Sequence, residues 1–141
     1  MLNRNDPIVP NQTLDFVSHS TGQTQRIGSR LGEMLQAGDV ILLEGPLGSG
    51  KTLLTQGIAM GLGVSEPVTS PSFTLINEYR PRDCGARLPL YHVDMYRLAD
   101  ATAEALALGI EEYLYGDGVT VIEWAERAAE ILPAEHLHIR L

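Results

Sequence analysis

The chain has 141 residues, 10 basic against 18 acidic, for a net charge of −8 with neutral histidines. That length suits one domain around one core, and the acidic balance argues against a chain that grips nucleic acid by itself, because phosphate binding needs a basic face. Hydrophobic residues at 44% and charged residues at 20% exclude a mostly disordered chain, and the single cysteine, Cys84, excludes an internal disulfide and a Cys-rich zinc site.

Met1 to Pro10 holds no apolar signal core. No apolar run reaches the roughly 18 residues of a membrane span. One thiol is compatible with a reducing compartment, so a cytoplasmic chain without a membrane segment is expected.

In chain order, Thr13-Leu14-Asp15-Phe16-Val17 alternates weakly and reads as a short strand. Ser20 or Thr21 can cap a helix carrying Ile27, Leu31, Met34 and Leu35 on one stripe, with Gly38 as its closing glycine. Val40-Ile41-Leu42-Leu43 is a continuous apolar run, as in a strand buried on both faces of a parallel sheet. A glycine-rich turn follows, then a helix from about Lys51 to Leu62.

Phe73 to Tyr79 and Leu88 to Val93 read as strands, with residues 80–87 as an exposed hairpin loop between them. Ala101 to Leu108 is a helical candidate, Val119 to Ile122 a strand, Ala125 to Ile131 a helix stopping before Pro133, and Leu137 to Leu141 a last strand. Strands alternating with helices predict an α/β sheet.

Gly45-Pro46-Leu47-Gly48-Ser49-Gly50-Lys51-Thr52 matches G-x-x-x-x-G-K-[ST] at every fixed position. The match sits between a buried-strand pattern and a helix, where the mechanism requires it. Glycines let the backbone curl so that successive N–H groups, those of Gly48, Ser49 and Gly50, point at a polyphosphate. The helix starting at Lys51 adds its positive dipole end. Lys51 is expected to bridge the β- and γ-phosphates, and the Thr52 hydroxyl to ligate magnesium.

A P-loop also needs an acid on a neighbouring strand. Asp94 and Glu123 each end an apolar strand pattern, where α/β sheets place their sites. The residues alone leave open which of them stands nearer the metal. Ser70-Pro71-Ser72-Phe73-Thr74 is a hydroxyl-rich turn after the P-loop helix, in a region that often senses the γ-phosphate.

With these residues assembled, the chain resembles the TsaE (YjeE) family from about Thr13 to Leu141. The motifs that carry the likeness are the P-loop, Thr69-Ser70-Pro71-Ser72-Phe73-Thr74-Leu75, Tyr91-His92-Val93-Asp94-Met95-Tyr96-Arg97-Leu98, Leu108-Gly109-Ile110 and Ile122-Glu123-Trp124. The resemblance implies a P-loop NTPase-like three-layer α/β/α fold with a mixed, largely parallel central sheet, formed by residues 1–141 as a single ATPase domain in which 1–11 are flexible.

It implies a magnesium-dependent ATPase required for threonylcarbamoyl modification of adenosine 37 in tRNA. Such an enzyme acts with TsaB- and TsaD-type proteins, touches tRNA indirectly through that complex, and uses ATP and Mg2+; with no arginine finger assignable in the sequence, slow turnover alone and faster turnover with the partners are expected. Lys51, Asp94 and Glu123 then match the catalytic positions, and Thr52 and Glu123 the metal positions. Thr21, Leu47, Gly48, Ser49, Gly50, Lys51 and Thr52 match the ATP-binding positions, with Thr21 near the adenine. Ser70, Ser72 and Thr74 match the switch near the γ-phosphate.

Two differences from the family pattern stand out. Pro46 replaces a usual Asp and removes one backbone donor early in the loop. The family commonly continues past the last strand to a Gly-Arg pair that reaches the nucleotide, and the expectation here is that this contact is absent or replaced.

Arg80, Arg82 and Arg87 read as a solvated hairpin tip ahead of a basic patch or a kinase-like lid. His136 and His138 make a weak metal pair, and Glu111-Glu112 reads as a solvated helix start. The alternatives to the ATPase reading are a small-molecule P-loop kinase and a non-catalytic, nucleotide-gated adaptor.

Overall fold

Continuous apolar sequence makes Val40–Glu44 an interior strand of the sheet: β1 is buried along four of its five residues and has parallel neighbours on both sides. The computed structural model describes residues 12–71 and 75–141. The other strands are β2 (Ile76–Tyr79), β3 (Leu90–Asp94), β4 (Val119–Glu123) and β5 (Leu137–Arg140), in the order β2-β3-β4-β1-β5. Only β2 is antiparallel, to β3. The sheet is therefore mixed and largely parallel, as expected.

Helices α1 (Thr21–Met34) and α2 (Lys51–Leu62) cover one face; α3 (Pro81–Cys84) is a single turn after β2. The other face carries α4 (Ala101–Ala107), α5 (Ile110–Leu114) and a 3₁₀ segment, Ala125–Ile131. Period-two alternation sends Ile41, Leu43, Val119 and Val121 into the α1–α2 layer, and Val40, Leu42 and Ile122 into the α4–α5 layer. Among the described residues no helix is long and apolar enough to cross a membrane.

α1 and α2 meet backbone to backbone along a seam of glycines. A Cβ on Gly28 would stand 2.6 Å from the Leu54 carbonyl oxygen, one on Gly32 2.2 Å from that of Ile58, and one on Gly61 2.1 Å from that of Ser29. Each helical glycine costs about 1 kcal/mol relative to alanine, and the close packing offsets that cost. The contacts advance together, Gln25 with Gly57 and Ser29 with Gly61. The two helices thus run parallel, and Thr21 heads α1 at the same end at which Lys51 heads α2.

Several expectations are corrected. Residues 13–17 form no strand: Phe16 and Val17 are each 72% exposed, and no described strand pairs with this stretch. A strand is held by its ladder, and weak alternation supplies none. Gly38 does not close α1, which ends at Met34 with Leu35 already extended. Gly38 instead turns the chain into β1 at φ +90°, its N–H donating to Gly118 O.

Residues 80–87 contain α3, and Arg87 is no tip residue: its guanidinium donates to the carbonyls of Gly32 and Leu35 and so caps the end of α1. Ala125–Ile131 is 3₁₀ and broken at Ala128, φ −136°. Arg127 ties it to the Tyr96 and Leu98 carbonyls. Glu111 and Glu112 do open a short helix, α5, in solvent. The expected flexible leader, 1–11, and Ser72, Phe73 and Thr74 lie outside the described residues.

Candidate functional site

The loop from Gly45 to Gly50 is shaped by two left-handed glycines. Gly48 has φ +80° and Gly50, which caps α2, has φ +104°, a region open to glycine without the Cβ penalty. Ser49 N–H donates to Pro46 O across a four-residue turn, with Gly48 at the third position, where a type II turn requires positive φ. Pro46 stands where its missing N–H costs the turn nothing, because its carbonyl is the group used. The Ser49 amide, expected to face a phosphate, is engaged inside the loop in this geometry.

Space and donors remain for an anion. A Cβ at Gly48 would meet nothing within 4 Å. The Ser49 hydroxyl is buried without a hydrogen-bond partner among the described residues. The first-turn amides of α2 have no partner within the helix, and they lie at its positive end. An orphan hydroxyl, free amides and a glycine hollow fit a polyphosphate.

Lys51 is 6% exposed, so its position is set by what it touches. Its Nζ donates to Gly45 O, back across the loop, and lies 4.5 Å from the centre of the Trp124 ring, within cation–π range. Trp124 follows β4 with φ +59°, an uncommon conformation for a bulky residue. That conformation turns the chain off the strand, and Tyr96 packs on the same ring at 4.9 Å.

The two acids come together. Asp94 and Glu123 are register partners at the ends of β3 and β4, and Glu123 also pairs with Leu43 of β1. Glu123 therefore stands one strand from the P-loop strand and Asp94 two. Glu123 is 4% exposed, and its Oε2 is 2.8 Å from His92 Nε2. Burial pushes the Asp94 carboxyl above its ordinary range. The Tyr96 amide, donating to Oδ1 at 2.9 Å, opposes that shift, Glu123 adds to it, and His92 and Lys51 oppose it.

Lys51, Thr52, Asp94 and Glu123 thus share the carboxyl end of the sheet with the loop, and Thr21 heads the parallel helix beside it. Thr52 and Glu123 offer oxygen donors of the kind magnesium takes alongside substrate phosphates. Leu47 projects from the loop, 78% exposed. Ser70 precedes β2 and is exposed; its companions Ser72 and Thr74 lie outside the described residues.

The other candidates disperse. Arg80 pairs with Glu78 and Arg87 holds α1, while Arg82 stays on the surface. His136 Nδ1 donates to the Pro133 carbonyl, and His138 pairs with Glu44 at 2.7 Å. Among the described residues no group of three His, Cys, Asp or Glu could hold a metal by itself. His92 is what sequence reading missed. Its only signal was a histidine in an otherwise apolar strand two residues before the acid.

A largely parallel sheet with a G-x-x-x-x-G-K-T loop between an interior strand and a covering helix defines a P-loop protein. Within that class the chain belongs to the TsaE family: the family model for "Threonylcarbamoyl adenosine biosynthesis protein TsaE" matches residues 18–141. It is 45% identical over 125 residues to the Treponema pallidum "tRNA threonylcarbamoyladenosine biosynthesis protein TsaE", covering 89% of this chain and 88% of that one. It is 49% identical over 123 residues to the Mycobacterium tuberculosis protein of that name, covering 84% and 72%. The crystal structure of Bacillus subtilis YdiB superposes with a TM-score of 0.73 at 40% identity, covering 87% of this chain and 72% of that one.

Proposed function

We propose that this chain is the ATP-binding and ATP-hydrolysing component required for threonylcarbamoyl modification of adenosine 37 in tRNA, acting in the cytoplasm with TsaB- and TsaD-type proteins. The observation that carries the reading is the convergence of Lys51, Asp94 and Glu123 on one P-loop, in a chain of the TsaE family. ATP is held by the loop amides, Lys51 and Thr52, with Thr21 at the adenine end. Magnesium, held by Thr52 and Glu123, supplies charge neutralisation on the phosphoryl oxygens.

The reaction is attack of water on the γ-phosphate, in line with the leaving oxygen. Lys51 leaves Gly45 O and turns to the phosphates, where it offsets charge that grows in the transition state. Asp94, its carboxylate already destabilised by burial, orients the water and takes its proton. Ser70, Ser72 and Thr74 respond to the γ-phosphate, so that ATP and ADP states present different surfaces to the partners.

No arginine is assigned to the transition state, and turnover by the chain alone is accordingly slow. The test is ATP hydrolysis by the isolated chain and by its mixture with cognate TsaB and TsaD. Faster turnover in the mixture is expected; equal rates overturn the coupling. Calorimetry that finds no nucleotide binding even with the partners present overturns the whole reading.

A further inference from the structure

His92 is completely buried on β3, on the same face as Asp94 two residues later. β4 places Val121 opposite His92 and Glu123 opposite Asp94, so the imidazole meets the Glu123 carboxylate diagonally across the two strands. The contact is Nε2 to Oε2 at 2.8 Å, while Nδ1 has no partner among the described residues. An ionised carboxylate only accepts. In the ionised form that a cation ligand takes, Glu123 receives this hydrogen bond from Nε2.

We propose that His92 is a positioning residue for Glu123: its Nε2–H holds one carboxylate oxygen and so orients the other toward the divalent cation of the bound nucleotide. This rests on the reading of Glu123 as a magnesium-associated acid. A carboxylate at a strand end can present either oxygen, and its register partner Leu43 offers no hydrogen bond to choose between them. One hydrogen bond from a ring locked in the core does. Groups that orient metal ligands in this way are worth roughly 10–100-fold in metal affinity.

Side-chain length separates this role from simple filling of the core. Glutamine carries its amide nitrogen at the position of Nε2, whereas asparagine carries its own at that of Nδ1 and falls short of Glu123. The test is calorimetric titration of Mg2+ into the full chain with a non-hydrolysable ATP analogue, for the wild type, His92→Gln, His92→Asn and His92→Leu.

His92→Asn and His92→Leu are expected to weaken Mg2+ roughly 10–100-fold and to leave metal-free nucleotide binding intact, while His92→Gln recovers most of the wild-type response. Equal behaviour of Gln and Asn overturns the role. Failure of the wild type itself to bind Mg2+ with the analogue overturns the reading of Glu123 instead.

If the variants do not fold, nitrogen NMR of the wild-type histidines decides. The expected spectrum has one exchange-protected ring proton, on Nε2, that shifts in Glu123→Gln. Absence of a proton on Nε2 of that ring overturns the proposal.

Discussion

Lys51 Nζ and the Trp124 ring are 4.5 Å apart, and the same ammonium group is bonded to Gly45 O. The lysine proposed to meet the phosphates is thus parked on the loop's own carbonyl and on an aromatic face. Trp124 is the only tryptophan in the chain, so its emission reports on that lysine. Adding ATP with Mg2+ is expected to change the fluorescence as the cation leaves the ring. Lys51→Ala should abolish the nucleotide response and lower hydrolysis by about 10²–10³-fold, the usual loss for one transition-state donor. An unchanged response in the variant would show that the two events are separate.

Asp94→Asn should bind ATP and hydrolyse it about 10²–10⁴-fold more slowly, the range for a lost general base. The same change affects stability with a defined sign. Burial raises the Asp94 carboxyl above its ordinary value of 3.8. Its stabilising contribution is present below that value and is lost as pH rises through the higher folded value. At neutral pH the ionised group opposes folding, so the asparagine variant should melt at or above the wild-type temperature. The gap should close in acid. Melting curves from neutral to acid pH check this, and a variant that is less stable at neutral pH would contradict it.

Gly61→Ala should be among the most damaging small substitutions in the chain. The added Cβ would sit 2.1 Å from Ser29 O and 2.9 Å from Glu33 N, both backbone atoms that cannot swing aside. Separating the two helices costs about 3 kcal/mol, or on the order of 10 °C in melting temperature. Gly22→Ala, in the facing helix α1, meets only side-chain atoms at 3.5 and 3.9 Å. It should be neutral or raise stability by about 0.5–1 kcal/mol. Thermal unfolding of both variants provides the comparison.

Tyr91 should titrate at about 12, chiefly because burial disfavours the phenolate and secondly because its hydroxyl donates to Asp117 at 2.7 Å. The folded value lies above the ordinary 10, so this group's contribution is complete below pH 10 and is lost as pH rises toward 12. Tyrosinate absorbance, assigned with Tyr91→Phe, measures it. Asp117→Asn should lower the value yet leave it above 10, because burial is the larger cause. A fall to the ordinary value would reverse that ranking.

The parts of this molecule legible in one dimension were those whose cause is local. Val40-Ile41-Leu42-Leu43 announces a doubly buried strand, and Gly45 to Thr52 announces the loop, because each requires residue types at fixed neighbouring positions. Both stand where they were expected. The alternation at Thr13 to Val17 misled, since a strand needs a partner that no short pattern records. Arg87 misled too: its charge suggests solvent, but its use depends on the end of a helix more than fifty positions earlier, at Leu35.

What the chain alone determined is the glycine-rich loop, its covering helix, the alternating α/β architecture and two acids at strand ends, for these follow from backbone periodicity and turn chemistry. Only the folded molecule decided that Glu123 stands one strand nearer the loop than Asp94, that His92 grips it, that Lys51 rests on Trp124 and that glycines weld α1 to α2. Each of those depends on strand order, register or helix crossing, and such relations between distant residues exist only once the layers have packed.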